Sequence, residues 1–272
     1  MIKTNLGIHQ FVCGADFSRL HQGFAPGGPQ DRFSCRFANL LLGNEPDAGA
    51  IEFTLVPAAF EVTRDCHLVV GGAECEISVD GREVPQWTVL AVDAGSMIRI
   101  NICPNGCRVY VCVAGGLNAD LEWVGDGLSA EVGRRRSVDQ FQWEPKLGSV
   151  RAMVGPEATE TAIAQLVEQV WTVSPQSSSM GVRLQGAALT LPDFDIQSSP
   201  VQDGTVQATE SGLIGLLRQR GTLGGYPRVA TIIDCDVDRL AQFGPGNRLR
   251  FEMVDHVQAA KLCQQQALDL RV

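Results

Sequence analysis

The sequence predicts a mainly β protein with a few short helices, and three observations carry that reading. There are 29 glycines spread through 272 residues, turn signals recur at short intervals, and runs rich in Val, Ile and Thr lie between them. A chain of this length is more easily filled by two domains than by one. The expected domains are 1–130 and 131–272. They are joined through about 125–149, where "GDGLSAEVGRRRSVDQFQWEPKLGS" holds no sustained period.

The first helical window is "DRFSCRFANLLLGN": Phe33, Phe37, Leu40 and Leu41 fall at helical spacing after Asp31 as N-cap, and Gly43 stops the helix. Strands follow. "HLVVGGAECEISVDGREV" reads as a strand through Leu68–Val70, a Gly-Gly break, a strand over Glu74–Val79, a hairpin turn at Asp80-Gly81 and a return. "TVLAVDAGSMIRIN" and "RVYVCVAGGL" continue the pattern, so this half is an antiparallel β region, closed or sandwiched. In the linker, Arg134–Arg136 read as a solvated loop or, less simply, as an anion site.

The second half opens on "SVRAMVGP" and then a helix in "TETAIAQLVEQVW", with Ile163, Leu166, Val167 and Val170 on one face. It returns to strands in "RLQGAALTL", "GTVQA", "LIGLLRQ" and "RVATII". Asp234, Asp236 and Asp238 alternate like a solvated strand end or turn; the glycine and distal glutamate of a calcium loop are missing. "FGPGNRLRF" is a tight turn into a last strand.

Charge and cysteine usage exclude whole classes. The balance of 22 basic against 31 acidic residues, a formal −9, disfavours nucleic acid or an anionic membrane as partner. No run approaches the ~18 apolar residues of a membrane span. Nine cysteines, an odd number mostly among apolar neighbours, point to a reduced, cytoplasmic protein. Cys103 and Cys107 have no second pair to complete a metal site, so no metal is expected. Neither a phosphate-binding loop nor a dinucleotide fingerprint is present.

Several segments in order carry a family resemblance: "PGGPQDRFSCRFANLLLGNEPDAGAIEFT", "AGGL", "MGVRLQG", "DGTVQ", "TLGGYPRVATII" and "LAQFGPGNRLRF". From about residue 7 to 254 the chain resembles the allophanate hydrolase subunit 2, or biotin-dependent carboxyltransferase-like, family. That family includes the C subunit of 5-oxoprolinase, KipA and the carboxyltransferase region of urea carboxylase. The resemblance implies two cyclophilin-like β-barrel domains. It also implies one component of an ATP-dependent 5-oxoprolinase-like hydrolase acting on an amide or lactam C–N bond. The partners would be an allophanate hydrolase subunit 1-like protein as the B component and a LamB/YcsF-like protein as the A component, with ATP used by the complex. Two alternatives stand beside it: a KipA-like regulatory binding protein without chemistry, and the carboxyltransferase component of a biotin-dependent urea or amide carboxylase. The chain has no "MKM" tripeptide for covalent biotin, so biotin would arrive on another protein.

The site residues implied are Asp31 and Arg183 as catalytic groups, and Gln207, Gly224, Gly225, Tyr226 and His21 around a small amide or carboxylate. The residues themselves leave alternatives open. Asp31 is a base or a helix cap. Arg183 is a bidentate anion clamp or a structural arginine. Gln207 orients an amide or merely points outward from a strand. Gly224-Gly225 admits a ligand or forms a bulge, with Tyr226 packing a rim. His21 titrates near neutrality or is a surface histidine. Asp31, Arg183 and Tyr226 are expected to face one cleft. Ser179, Gln185, Gln219, Gly221 and Leu223 depart from the family's usual arginine, glutamate, acid, glutamine and threonine. Those losses point to changed substrate or lost chemistry.

Overall fold

The computed structural model describes residues 2–101, 105–129, 132–133 and 148–270, so Cys103 and Arg134–Arg136 lie outside the described residues. The chain divides into two compact units, Met1–Gly14 with Asp31–Glu144, and Ala15–Gln30 with Pro145–Arg271. Relative to the split expected at residue 130, the boundary falls after Glu144, within the expected 125–149 connection, and Ala15–Gln30 belongs to the second unit. Gln30 explains why. Its side-chain oxygen accepts from the Arg218 N–H at 3.1 Å, its carbonyl accepts from Arg218 Nε at 3.2 Å, and its Nε2 donates to the Ser179 carbonyl at 3.0 Å.

The first unit is one curled antiparallel sheet. Its strands are β1 (Ile2–Val12), β2 (Ala50–Val62), β3 (Cys66–Glu74), β4 (Ile77–Val79), β5 (Arg82–Val84), β6 (Leu90–Val92), β7 (Met97–Ile100) and β8 (Asn105–Val113). They lie in the order β5-β4-β7-β2-β8-β3-β6, with β1 also on β2. Alternating β-branched and aromatic residues put Ile51, Phe53, Phe60, Leu68, Val70, Ile98, Val109 and Val111 in its core. Each such side chain contributes roughly 1.5–3 kcal/mol by leaving water. Helix α1 (Arg32–Leu41) packs over β3 and β8. The hairpin turn at Asp80-Gly81 forms as expected, with φ of 50° and 79°. The Gly-Gly pair at 71–72 is not a break. Gly72 takes φ of 100° at a register shift against β8, and a Cβ there would strike the Arg108 carbonyl, so β3 passes through on a bulge.

The second unit is a closed barrel. It contains β9 (Ser149–Val154), α2 (Glu160–Glu168), β10 (Trp171–Val173), β11 (Gly181–Gln185), β12 (Ser199–Pro200), β13 (Thr205–Thr209), β14 (Gly212–Leu216), β15 (Leu223–Gly224), β16 (Arg228–Ile232), α3 (Asp234–Ala241), β17 (Arg248–Met253) and α4 (His256–Asp269). The ring runs β10-β11-β14-β13-β16-β9-β17 and closes by β17 on β10, while β12 and β15 form a separate ribbon. Trp171, Leu166, Val206, Leu217, Leu240 and Phe251 fill it. The fold is thus mainly β with short helices, as the sequence predicts. Helices α3 and α4 are additions to that reading, and α3 replaces the solvated turn expected at Asp234, Asp236 and Asp238. No helix among the described residues is long and apolar enough to cross a membrane.

Candidate functional site

Strand alternation in the second barrel sets up its most suggestive surface. In β11, Val182 and Leu184 turn into the core, which leaves Arg183 facing outward. The same alternation in β13 sends Val206 and Ala208 inward and Gln207 outward. Arg183 is in register with Ile214 of β14, and Ile214 with Gln207 of β13, so the three form one row across neighbouring strands. With strands spaced about 4.8 Å apart, the row holds the Arg183 and Gln207 backbones roughly 10 Å from each other.

That row floors a hollow of about 230 Å³, walled by Ser178, Met180, Val201, Leu216, Gly221 and Leu223. Its lining is apolar apart from one guanidinium, one carboxamide and one hydroxyl. Arg183 is exposed and always charged, so the hollow suits a small anion. Gln207 is buried under the β12–β15 ribbon and donates from Nε2 to the Tyr226 carbonyl at 3.3 Å. This fixes its amide flat against Gly224, where a Cβ would collide with the Gln207 side chain. The room made by Gly224 is therefore filled by Gln207. Gly225 is less constrained: a Cβ there would make ordinary contacts with the Ile196 carbonyl and Ser198 Oγ, both 3.5 Å away.

The other candidates fall elsewhere. Tyr226, 43% exposed, lines a second hollow of about 710 Å³ together with Phe194, Asp193, Asp195 and Glu210. Those carboxylates make it unfavourable to anions. His21 is exposed on a single 3-10 turn, Leu20–Gln22, its Nε2 lying 3.2 Å from the Gln22 amide nitrogen. Asp31, in the first unit, is fully buried; it caps α1, accepting from the Ser34 N–H at 3.0 Å and the Ser34 hydroxyl at 2.7 Å. The single cleft expected for Asp31, Arg183 and Tyr226 is accordingly corrected. Asp31 is buried as a cap, and Arg183 and Tyr226 line separate hollows.

A charged network that the sequence reading passed over holds one wall of the Arg183 hollow. Between Leu216 and Gly221 the chain carries Arg218, 0% exposed, whose NH1 donates to Asp203 at 3.2 Å and Asp234 at 3.1 Å, and whose NH2 donates to Asp238 at 2.7 Å. Burial works to lower the Arg218 pKa, but Asp238 and then Asp234 and Asp203 outweigh it and raise it. Arg220 adds an ion pair to Asp203 at 2.9 Å. On the same helix Asp236 accepts from the Arg151 N–H at 2.7 Å and from Arg151 Nε at 2.9 Å. Of the acids that read as solvated, Asp238 is buried on Arg218 and Asp236 is buried on Arg151, whereas Asp234 bonds Arg218 from an exposed position. The only sequence signal was three acids within five residues in a protein whose arginines sit next to apolar runs.

The first unit has its own buried polar chain. The Tyr110 hydroxyl donates to Glu52 at 2.8 Å and accepts from the Asp31 N–H at 2.8 Å, and Gln10 donates to the other Glu52 oxygen at 2.8 Å. Burial first, then Glu52 and Asp31, push the Tyr110 pKa well up, so the hydroxyl keeps its proton. Among the described residues no three His, Cys, Asp or Glu side chains converge as a metal site.

Known proteins locate this architecture. Residues 22–131 and 121–253 match the family described as Carboxyltransferase domain, subdomain A and B. The C subunit of 5-oxoprolinase from Escherichia coli (strain K12) is 32% identical over 90% of this chain and 87% of its own length. The solved structure of TTHA0988 superposes with a TM-score of 0.80 at 27% identity, over 92% of this chain, which spans only 55% of that one. The urea carboxylase of Kluyveromyces lactis shares the fold, with a TM-score of 0.84 at 18% identity over 99% of this chain and 29% of its own. The chain belongs to the carboxyltransferase-domain family, subdomains A and B.

Proposed function

We propose that this protein is the C component of an ATP-dependent 5-oxoprolinase-type complex that opens a small amide or lactam. The observation that carries this is its 32% identity to the C subunit of a 5-oxoprolinase, along nearly the whole of both chains. The Arg183 hollow gives the reading a chemical form. Arg183 takes the substrate carboxylate in bidentate fashion, and the Gln207 carboxamide, held rigid by Gly224 and the Tyr226 carbonyl, orients the amide. The apolar walls thin the water around both. This chain then binds and positions the substrate. Among the described residues no carboxylate or imidazole lines the hollow, so in this reading the activating group comes from the partner, an allophanate hydrolase subunit 1-like protein, with a LamB/YcsF-like protein completing the assembly.

ATP also belongs to the complex in this reading. The Arg183 hollow has one cation for a triphosphate, and the larger Tyr226 hollow is lined by three carboxylates that repel one. A second reading has support of its own: the missing base, together with Ser179 and Gln219 in place of an arginine and an acid, fits a KipA-like protein that binds and regulates its partner without chemistry.

The test is co-purification with both proposed partners, followed by 5-oxoproline-dependent ATP hydrolysis. Turnover is expected, and Arg183→Ala should raise KM at least about tenfold, with Arg183→Lys recovering little because lysine lacks the planar fork. A stable complex that hydrolyses no ATP with 5-oxoproline or related amides would transfer the assignment to the regulatory reading. Turnover indifferent to Arg183 would displace the site.

A further inference from the structure

Helix α4 is held on its barrel by a narrow seam. Of its residues only Ala259 is buried. Ala259 packs with Ile233 and Cys235 at the start of α3, and Met153, Val254, Leu262 and Cys263 border the cluster. Within that seam the Sγ atoms of Cys235 and Cys263 lie 3.3 Å apart, although 28 residues separate them in the chain. Forming a disulfide of about 2.05 Å needs an approach of roughly 1.3 Å. Cys235 is buried and Cys263 is partly exposed, so an oxidant has access to one member of the pair. Cys35 and Cys112 are also neighbours, but both are buried.

We propose that Cys235 and Cys263 are an oxidation site, a dithiol that a hydroperoxide closes to a disulfide, pinning α4 to α3. The peroxide first converts the partly exposed Cys263 thiol to a sulfenic acid and leaves as water. The Cys235 sulfur then attacks the Cys263 sulfur: the S–S bond forms, the S–O bond breaks, and the departing hydroxide takes the Cys235 proton as a second water. Two thiols are oxidised and one peroxide is reduced. Burial, then the Cys263 contact and Asp236, raise the Cys235 pKa and keep that thiol protonated; because Cys235 is buried and Cys263 partly exposed, Cys263 is the first target. The closed form bears on the charged network too. Gln266 of α4 donates to the Cys235 carbonyl and to the Asp238 carboxylate, each at 3.4 Å, and Asp238 is a partner of Arg218.

The experiment uses the full chain carrying Cys13→Ser, since Cys13 is exposed and would link molecules together. The protein is treated with hydrogen peroxide, its free thiols are alkylated, and it is digested without reductant for mass spectrometry, with hydrogen exchange run in parallel. The expected result is a Cys235–Cys263 cross-linked peptide lighter by two hydrogens and reversed by dithiothreitol. Amide exchange across 256–269 should slow by about tenfold. Cys263→Ser, at a partly exposed position, should fold normally and lose both effects. A Cys263 sulfinic acid without the cross-link, or cross-links that join other cysteines instead, would overturn the site. A Cys235–Cys263 bond that leaves exchange unchanged would overturn the pinning.

Discussion

Helices α1 and α3 have similar lengths and each buries one face, but they are stabilised from different distances. Helix α1 buries Phe33, Cys35, Phe37, Ala38 and Leu41, and its cap is local: Asp31 binds Ser34, three residues on. Helix α3 has no side-chain cap at Ile233, and its buried face mixes Cys235, Val237, Leu240 and Ala241 with Asp236 and Asp238. Those acids are neutralised by Arg151 and Arg218, which lie 85 and 20 residues away in the chain. Acids in the first turn favour the helix dipole, but burying them is tolerable only while their arginines are present. The lesson is one of conditionality. Helix α1 follows from its own sequence, whereas α3 requires the rest of the barrel to be in place.

The largest effect should come from breaking that condition. Arg218→Met leaves Asp238 buried without its main cation, and the cost of stranding a buried charge is about 3–5 kcal/mol. It should appear as a lower urea midpoint together with faster exchange in 234–241. Arg218→Lys keeps the charge but cannot reach Asp203, Asp234 and Asp238 at once, so it should recover only part of the loss. A Met variant within about 1 kcal/mol of the parent would mean that α3 is as self-sufficient as α1.

The same contrast explains what the sequence could and could not disclose. Helix α1 was legible because its core face is apolar at helical spacing and Asp31 and Gly43 mark its ends. The Asp80-Gly81 hairpin was legible because its backbone needs positive φ at both residues. Helix α3 was not, since Asp236 and Asp238 carry hydrophilic character on the buried side and nothing local names their partners. Gly71-Gly72 misleads for a related reason: Trp87 covers Gly71 and β8 closes on Gly72, and both neighbours come from later in the chain. In the site, motif order brought out Arg183 and Gln207, whose shared row is a matter of strand register. Joining Tyr226 to them assumed that adjacency to Gly224 meant a common surface, whereas Tyr226 faces a different hollow.

A smaller effect is expected at the local cap. Asp31→Ala removes the acceptor for the Ser34 N–H and hydroxyl and should cost about 1–2 kcal/mol, at the upper end of capping energies because the site is fully buried. Asp31→Asn keeps an acceptor and should cost less. Thermal melts of the two variants rank the losses. Should the Asn variant stay stable while the assembled complex loses turnover, Asp31 would be serving the reaction as well as the helix.

The smallest effect belongs to the partly solvated counterpart of the Arg151–Asp236 pair. Arg228 donates to Glu157 from its backbone N–H at 2.9 Å and from Nε at 2.9 Å, with NH2 bonding the other oxygen. The hydrogen bonds from Arg228 hold the Glu157 pKa below its usual 4.5. A depressed folded pKa means that the contribution is fully present above the unfolded value and is lost as pH falls through the folded one. Because both side chains are partly solvated, Glu157→Gln should cost no more than about 1 kcal/mol at neutral pH. The cost should shrink below pH 4.5, where the parent loses the same interaction, so the two stability curves converge in acid. A gap that stayed constant down to acid pH would show that hydrogen-bond geometry rather than charge holds the pair. The contrast with the buried Asp236 would then rest on packing alone.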